Sequence, residues 1–492
     1  MNLLVQLTYL SPIIGSLLIL AGAAARKTAI IATVVGLLSA LILFIAYDRT
    51  AGGYQFLAAL PLVRDWDLKF FIGIDGLSST LLLLTSVVAL AAVWVSPTIE
   101  EGEHRYYGCV LLIAAGAAGA FASLDLFFFY AFHELALIPT FLMIGIWGTG
   151  NRQSAAWKIT IYLSVGSIIL LVGLIGLYLL PPAPERTFDI VKLQQMASSG
   201  VFSGSGSKSV YLLLLLGFGV LVSLFPFHTW APQAYAAAPV PVAMLHAGVL
   251  KKFGLYGLLR VALPLMPEAA RHWAWLLLIL LAGNILYIGL ATIAQKQLDL
   301  TLGYSSVMHM GYIFLGIATY NVIGLNGAAL LMLAHGLSIA ALFAMCGELR
   351  KQTGTLNYLD LGGLATQMPT LSLIFGLATF ASIGLPGFAN FASELLVFFG
   401  AFKNSSPGAA LNEFQIVGII ALWGVVISAV YMLRAYRAIF MGQAQARWQG
   451  VRDVSANARW AVVLLVAALL VVGLAPRIVL DAVEPGIRLF VK

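Results

Sequence analysis

Long apolar stretches dominate this chain of 492 residues and restrict its fold more than any other feature. Hydrophobic residues fill 61% of the positions and charged residues only 10%, which leaves too little polar surface for a soluble protein of this size. A helix needs about 20 apolar residues to cross a bilayer, and we count about 14 such stretches. The first of them has no basic segment before it and is too long for a signal peptide, so we interpret it as a retained span. The sequence therefore predicts an all-α polytopic membrane protein with about 14 transmembrane helices.

The basic residues lie in short loops and indicate topology. The net charge is +7, but the lysines and arginines are scattered over the loops, which excludes a nucleic-acid-binding protein. The densest basic cluster falls between the last two spans, which places that loop in the cytoplasm and both termini on the opposite face of the membrane. The cluster consists of Arg434, Arg437, Arg447, Arg452 and Arg459.

Motifs for cofactor chemistry are missing from the sequence. It contains no GxGxxG after a strand, no GxxxxGK[ST], no CxxC and no HExxH. The two cysteines, Cys109 and Cys346, both fall in apolar spans and give neither a disulfide framework nor a metal motif. We therefore expect no cofactor in this chain, and any redox chemistry must belong to partner subunits.

Two predicted spans carry helix breakers in their middles. Pro226 lies in the first, at residues 225–232, and Pro386 in the second, at residues 384–390. Such breaks persist in a bilayer only where the freed backbone faces protein or water, and paired breaks are typical of inverted repeats with a transport path between them. We divide the chain into N-terminal helices (1–105), a first five-helix repeat (106–265), a second inverted repeat (266–445), and a last helix with an interfacial tail (446–492).

Three ionisable residues, Glu134, Lys252 and Glu394, lie in the middle of apolar spans. A charged group there costs roughly 2.5–3.5 kcal/mol on insertion scales, and it usually marks an ion pathway. Carboxylates, amines and imidazoles with pKa values shifted by burial and by neighbouring charges can pass protons to one another. We therefore predict a proton relay, to which the sequence offers further candidates: Lys251, His309 and His335, with His228 beside the first break.

Each supporting candidate also has a structural interpretation. In this interpretation, His309 and His335 serve merely as hydrogen-bond partners of neighbouring helices. Lys251 points about 100° away from Lys252 on a helix, which favours a structural role. The remaining two polar residues have local alternatives: His228 as a cap of exposed backbone, and Asp75 as either a helix cap or a functional group.

The arrangement of these motifs resembles the antiporter-like subunits of respiratory complex I, in particular chain M of the bacterial enzyme, the counterpart of mitochondrial subunit 4. The resemblance covers about residues 70–440. It rests on LDLFFFYAFHELALIP at 124–139, FPFHTW at 225–230, YSSVMHMG at 304–311, AHGLS at 334–338, and the run from 385 to 394.

This resemblance implies a proton-translocating subunit of the membrane arm, placed in the cell inner membrane beside other membrane subunits. NADH, FMN, iron–sulfur clusters and quinone are expected in partner subunits, so this chain is expected to be a non-catalytic transport subunit. In the family, the glutamate that matches Glu134 pairs with a lysine on helix seven. The relay then runs to the lysine matching Lys252, through the histidines matching His309 and His335, and ends at the position of Glu394.

The sequence departs from the family at the first step of that relay. Residues 219–224 read GVLVSL, so helix seven has no ionisable group before its break, and Glu134 lacks the expected lysine. The extra Lys251 is a possible substitute. Gln233 and Asp299 also replace the residues usual at their positions. The departure leaves alternatives open: a non-pumping scaffold, or a subunit of a multi-subunit cation/proton antiporter, a membrane-bound hydrogenase or a carbon-dioxide-uptake complex. It also leaves open whether H⁺ or Na⁺ moves.

Overall fold

The computed structural model of the protein describes residues 1–403 and 410–491. Most of these residues form α-helices, and one two-stranded hairpin follows the second helix. The helices and strands are, in chain order, α1 (Asn2–Leu20), α2 (Ala25–Ala46), β1 (Gln55–Val63), β2 (Leu68–Ile74), α3 (Gly76–Val95), α4 (Glu103–Ala122), α5 (Leu126–Trp147), α6 (Arg152–Leu179), α7 (Ile190–Ser198), α8 (Ser205–Val222), α9 (Trp230–Ala237), α10 (Val240–Leu265), α11 (Pro267–Ile293), α12 (Leu298–Ala318), α13 (Val322–Thr353), α14 (Pro369–Ile383), α15 (Ala389–Phe402), α16 (Glu413–Phe440), α17 (Ala456–Leu474) and α18 (Arg477–Arg488).

The length and hydropathy of these helices confirm the polytopic membrane fold. Within the described residues, 13 helices are long and apolar enough to cross a bilayer. The remaining predicted span consists of two shorter apolar helices, α14 and α15, separated by a break. Every residue in the most apolar 18-residue stretch of α10 and of α13 is buried, so these two helices form the centre of the bundle.

Both predicted breaks are present. Ser223, the residue after α8, has a left-handed φ of 71°, and Gly384, the residue after α14, has a φ of 80°. At the first break, Asn284 of α11 donates to the Ser223 carbonyl (3.2 Å) and accepts from the Phe225 amide (2.7 Å). Backbone groups that the break would leave unpaired are thus bonded by a buried amide, as a non-aqueous environment requires.

The hairpin β1–β2 was not predicted. Its strands pair antiparallel, with Leu60 opposite Phe70 and Ala59 opposite Phe71, and a short turn ends at Asp67 in the left-handed region. Apolar periodicity alone did not reveal it, because strands of nine and seven residues are too short to stand out as membrane spans. Several of its large apolar side chains are exposed: Leu57, Leu60, Leu62, Val63 and Trp66.

Two π turns interrupt α10, at His246–Leu250 and Leu258–Ala262. Each π turn inserts one residue into the helical repeat, so side chains beyond it rotate relative to a regular helix. The first turn lies immediately before Lys251 and Lys252. Sequence periodicity assumes a regular helix and therefore does not predict the directions of these two lysines.

Asp75 caps α3 by accepting from the Ser78 amide at 2.8 Å, and its carboxylate pairs with Arg260 near the end of α10. Both charged side chains are buried. Helix α18 covers the pair: a methyl group at Gly486 would lie 3.4 Å from the Asp75 carboxylate. The C-terminal amphipathic segment is therefore packed on α3 and α10 through this ion pair.

Asp125 provides a test of local electrostatics at the start of α5. Its carboxylate accepts from the Phe127 amide (2.9 Å) and the Phe128 amide (3.3 Å), but it is fully buried. Burial raises the pKa of Asp125 to about 6, since removal from water disfavours its charge. The folded state therefore binds more protons than the unfolded state between about pH 4 and 6, and ionisation of Asp125 lowers stability above that range.

We expect Asp125→Asn to raise the free energy of unfolding by roughly 1–3 kcal/mol at pH 7.5, because the amide keeps the cap without a buried charge. The gain should shrink as the pH falls below about 6 and be absent near pH 4. Thermal unfolding of the purified protein in detergent at several pH values measures it. A gain that is constant with pH would contradict the assignment of the buried charge to Asp125.

Candidate functional site

Lys252 and His335 form the centre of the buried polar groups. The Lys252 ammonium donates to the Ala247 carbonyl (2.8 Å) and to Nδ1 of His335 (3.0 Å), and both side chains are buried. Their helices α10 and α13 meet at two glycines: a methyl group at Gly336 would lie 2.7 Å from the Gly248 carbonyl oxygen. This close approach brings the lysine and the imidazole within hydrogen-bond distance.

His309 continues this arrangement towards the second break. Its ring centroid lies 5.6 Å from that of His335. Nδ1 is 2.8 Å from the Ser305 carbonyl, and Nε2 is 3.0 Å from the Ser382 carbonyl near the end of α14. An imidazole donates to both carbonyls only when both nitrogens carry hydrogen, so these contacts fit the protonated ring.

Glu394 lies on the other side of the same break, at the second turn of α15. A methyl group at Gly384 would lie 2.6 Å from Oε2 of Glu394, so the carboxyl group packs directly on the backbone of the break. Oε1 is buried without a hydrogen-bond partner among the described residues, as are the Tyr312 hydroxyl and the Asn390 amide. Buried polar atoms of this kind are usually bonded, so each is able to take up a further hydrogen bond.

Together these residues form what we call the polar chain: Lys252, His335, His309, the Ser382 carbonyl and Glu394. It connects α10, α13, α12, α14 and α15 through the middle of the bundle. Among the described residues, no ion pair within 4.0 Å includes any member of the chain. The part of the chain that the structure describes also contains no group of three or more metal-ligating side chains. The arrangement therefore suits proton exchange better than metal binding.

Lys251 contacts residues of α9 and α12. Its ammonium lies 3.4 Å from the Ser306 hydroxyl, 5.1 Å from the ring centre of Tyr235 and 5.9 Å from that of Trp230. These contacts place Lys251 between α9 and α12, on the side of α10 that faces the first break. No contact within the described residues joins it to Glu134.

His228 lies in the first break, beside Pro226. Its ring stacks on Phe225 with centroids 5.7 Å apart, and Nδ1 is buried without a hydrogen-bond partner in the described part of the chain. At the second break, Pro386 is at the corresponding place between α14 and α15. Within the described residues, the ring of His228 contacts Phe225 and Tyr287 and no member of the polar chain, so His228 is not part of it.

Glu134 lies apart from the polar chain. It is half-buried, accepts a hydrogen bond from Ser167 of α6, and Ser167 lies 3.2 Å from the Tyr130 hydroxyl. Its neighbour His133 points inwards and stacks on Phe253 of α10 with ring centroids 3.9 Å apart. Glu134 therefore belongs to the outer side of α5, which sequence reasoning did not anticipate.

Leu221 occupies the region where the family resemblance places a lysine. With Val220, it packs against Gly166, the residue before Ser167: a methyl group at Gly166 would lie 2.7 Å from Val220 and 3.4 Å from Leu221. The neighbourhood of Glu134 on the α8 side is therefore apolar. The structure accordingly gives Glu134 two hydroxyl neighbours and, among described residues, no cation within 4.0 Å.

Sequence analysis did not identify three polar groups that lie near these residues. Ser167, Tyr312 and the Ser382 carbonyl contact or surround the ionisable residues. Hydroxyl residues are common in membrane helices, and every residue has a carbonyl group, so neither carries a recognisable sequence signal. Only the packing of the helices shows that these three groups, and not other hydroxyl or carbonyl groups, lie beside the ionisable residues.

Gly336→Ala tests the close approach of α10 and α13. The added methyl group would meet both the Gly248 carbonyl and Leu84 at 2.7 Å, so the helices must separate. We expect a loss of about 1–3 kcal/mol in the free energy of unfolding and a weaker contact between Lys252 and His335. Thermal unfolding of the protein extracted from the membrane measures the first effect.

Gly204→Ala is the control for this variant. The added methyl group meets open space there, so the loss in the free energy of unfolding should be smaller, whereas Gly354→Ala is unsuitable because the φ of Gly354 is positive. Equal losses in the two variants would contradict tight helix packing at Gly336.

Comparison with known proteins agrees with this architecture. Residues 123–434 match the protein-family model described as NADH:quinone oxidoreductase/Mrp antiporter, TM. NAD(P)H-quinone oxidoreductase chain 4 2 of Thermosynechococcus vestitus is 34% identical over 445 residues, 90% of this chain and 82% of the relative. NADH-quinone oxidoreductase subunit M of Rickettsia prowazekii is 33% identical over 416 residues, 84% of this chain and 82% of the relative.

A solved structure extends the similarity to nearly the full chain. A chain of respiratory complex I from Thermus thermophilus superposes with a TM-score of 0.88 at 28% identity, covering 99% of this chain and 100% of that one. The matched family region includes both helix breaks and the whole polar chain. This protein therefore belongs to the family of antiporter-like membrane subunits that is shared by NADH:quinone oxidoreductases and Mrp antiporters.

Proposed function

We propose that this chain is the proton-translocating membrane-arm subunit of a complex I-like donor:quinone oxidoreductase. The observation that carries the proposal is the polar chain, in which Lys252, His335, His309 and Glu394 follow one another across four helices. Each of these side chains holds or releases one proton, and none has a fixed counter-ion among the described residues. A purely structural network would have its charges paired and its donors satisfied.

A proton moves along the polar chain by exchange between neighbouring nitrogens and oxygens. The Lys252 ammonium gives a proton to Nδ1 of His335, which leaves a neutral amine and an imidazolium. The imidazolium then releases the hydrogen on Nε2, the nitrogen that has no hydrogen-bond partner in the described structure. His309 accepts that proton only after one of its own two N–H protons has passed to the Glu394 carboxylate, so its ring must first turn away from one of its two carbonyl partners.

Charge repulsion orders these steps. Two positive charges about 4 Å apart repel each other by about 4 kcal/mol at an effective dielectric constant of 20, so Lys252 and His335 are not both charged at equilibrium. A change in charge at one group therefore shifts the proton affinity of the next. Lys251 adds a further amine beside Lys252 and strengthens this repulsion.

The wider assembly is part of the proposal. NADH or another donor, FMN, iron–sulfur clusters and quinone would be held by partner subunits, with this chain supplying transport only. Two inverted five-helix repeats, residues 106–265 and 266–445, would surround the polar chain. The protein would lie in the cell inner membrane with both termini on the non-cytoplasmic face, the orientation that its basic loops favour.

A second candidate function is a subunit of a cation/proton antiporter. The matched family description covers Mrp antiporters as well as quinone oxidoreductases, so membership alone does not separate the two. The polar chain would serve proton movement in either machine. The difference lies in the partners and in the driving force.

Gentle purification of the tagged protein from its native membrane, followed by mass spectrometry of the co-purifying chains, separates the candidates. Flavin and iron–sulfur subunits together with a quinone-site subunit are the result we expect. Small membrane subunits without a redox partner would instead assign the protein to an antiporter. Counter-transport in vesicles without an electron donor then provides the functional check.

A further inference from the structure

Three side chains on one face of α12 lead from its first turn to the polar chain. Thr301, Ser305 and His309 recur every four residues, so they lie on successive turns, about 6 Å apart along the helix axis. All three are at most 1% exposed. We call Thr301 and Ser305, together with their hydrogen-bond partners Tyr358 and Tyr431, the hydroxyl ladder.

The outer step of the ladder joins Tyr358 to Thr301. The Tyr358 hydroxyl donates to Oγ1 of Thr301 at 2.7 Å, and Oγ1 of Thr301 donates to the Gln297 carbonyl at 2.8 Å. Tyr358 lies in the connection between α13 and α14 and is partly exposed, whereas Thr301 is fully buried. Arg434 of the basic cluster lies 5.9 Å from the centre of the Tyr358 ring. The hydroxyl pair therefore connects the basic end of the bundle with the interior of α12.

The inner step joins Ser305 to His309. Oγ of Ser305 lies 2.8 Å from the Tyr431 hydroxyl of α16 and 3.5 Å from Nδ1 of His309, whereas the Ser305 carbonyl lies 2.8 Å from the same nitrogen. Ser305 thus serves both states of the imidazole: its carbonyl accepts from Nδ1 when that nitrogen carries hydrogen, and its hydroxyl donates to Nδ1 when it does not. A neutral His309 is therefore able to take up a proton from this side.

Helix packing alone does not account for the outer hydroxyl pair. Buried threonines often bond only to the carbonyl one turn earlier, as Thr292 of α11 does at 2.7 Å. Thr301 makes the same backbone bond and accepts from Tyr358 as well. The connection that carries Tyr358 is already fixed to the start of α12 by two backbone hydrogen bonds of 3.0 Å, so it does not need the hydroxyl contact as an anchor.

We propose that the hydroxyl ladder is the route by which protons enter the polar chain, and that they enter it at His309. The Ser305 hydroxyl gives its hydrogen to Nδ1 of neutral His309. A water molecule between Ser305 and Thr301 replaces that hydrogen, since two hydrogen bonds of about 2.8 Å span one helical turn. Thr301 resupplies the water, Tyr358 resupplies Thr301, and the solvent at the end of the bundle resupplies Tyr358. Each oxygen loses one hydrogen and gains one, so the net change is one proton moved from solvent to His309.

This inference rests on the proposed function, since it requires that His309 exchanges protons with its neighbours. A proton that enters at His309 passes either to Glu394 or back through His335 to Lys252, so one route fills the polar chain in both directions. With the orientation that the basic loops favour, the ladder opens to the cytoplasm. The hydroxyl groups of the ladder then determine how fast protons are taken up.

The initial rate of proton translocation per assembled complex, measured in vesicles, tests the route. Thr301→Val keeps nearly the same volume but removes the hydroxyl, so we expect it to lose most of the translocation. Thr301→Ser keeps a hydroxyl and should retain it. Thr292→Val is the matched control, because it removes the same kind of buried backbone bond outside the ladder and should leave translocation unchanged. Thermal unfolding should respond equally to the two valine variants.

Tyr358→Phe tests the outer end of the ladder without any change in α12, and it decides the question if Thr301→Val fails to assemble. We expect it to lower translocation as well. The double variant Thr301→Val/Tyr358→Phe should be no slower than the slower single variant, because both changes block one route.

Native rates in Thr301→Val or in Tyr358→Phe would overturn the proposal. So would an equal loss in Thr292→Val, or single losses that multiply in the double variant. Failure of the proposed function gives a different pattern, since Lys252→Met would then translocate protons as fast as the native complex.

Discussion

Replacing Lys252 by methionine is expected to abolish proton translocation while the protein becomes more stable. Methionine has a similar length and no charge, so it fills the space at the α10–α13 contact without an amine to exchange protons with His335. Replacing buried charged groups by apolar groups of similar volume is often neutral or stabilises a protein by about 1–4 kcal/mol. A substitution that abolishes transport but raises stability is characteristic of a group that is retained for function.

Proton uptake into vesicles that contain the purified complex, measured per electron transferred, gives the transport readout for Lys252→Met. Thermal unfolding of the same sample gives the stability readout. Lys351→Met, at the exposed C-terminal end of α13, is the matched control and should change neither. Full translocation in the Lys252→Met complex would remove Lys252 from the relay, and a large loss of stability would indicate a structural role.

The second large effect is expected for Glu394→Gln, which should abolish proton translocation while the complex assembles normally. Glutamine keeps the volume and the hydrogen-bonding shape of the carboxyl group against Gly384, but it does not take up and release a proton near neutral pH. The break between α14 and α15 should therefore remain folded, and the polar chain should end in a group without proton exchange.

Two measurements on membranes carrying Glu394→Gln separate assembly from transport. The yield and subunit composition of the purified complex report assembly, and the vesicle assay reports translocation. Glu413→Gln, exposed at the start of α16, is the control. Unchanged translocation in a correctly assembled Glu394→Gln complex would contradict the assignment of Glu394 as a relay group.

Much of the fold follows from one-dimensional patterns. Each apolar run is long enough to span a bilayer, and Pro226 and Pro386 mark both breaks, because hydropathy and backbone chemistry act locally. The hairpin β1–β2 and the π turns of α10 do not follow from such patterns. The former lies outside any membrane-spanning run, and the latter arise where α10 packs against its neighbours, as at Gly248 and Gly336.

The sequence identified the ionisable residues of the site but not the directions in which their side chains point. Lys252, His335, His309 and Glu394 were identified because ionisable groups are rare in membrane spans. The outward position of Glu134 and the inward position of His133 were not, since adjacent residues differ by about 100° around a helix and the sequence does not fix which of them faces the bundle. The direction of Lys251 depends on the π turn before it.

The number of protons translocated per electron in the purified complex, compared between the native protein and the variants Lys252→Met and Glu394→Gln, tests the central claim most directly. Normalising to electron flow restricts the comparison to assembled, active complexes. Our account predicts a lower ratio in both variants, because each removes the proton-exchanging group at one end of the polar chain. An unchanged ratio in both variants would contradict the account and would favour a scaffold subunit that does not pump.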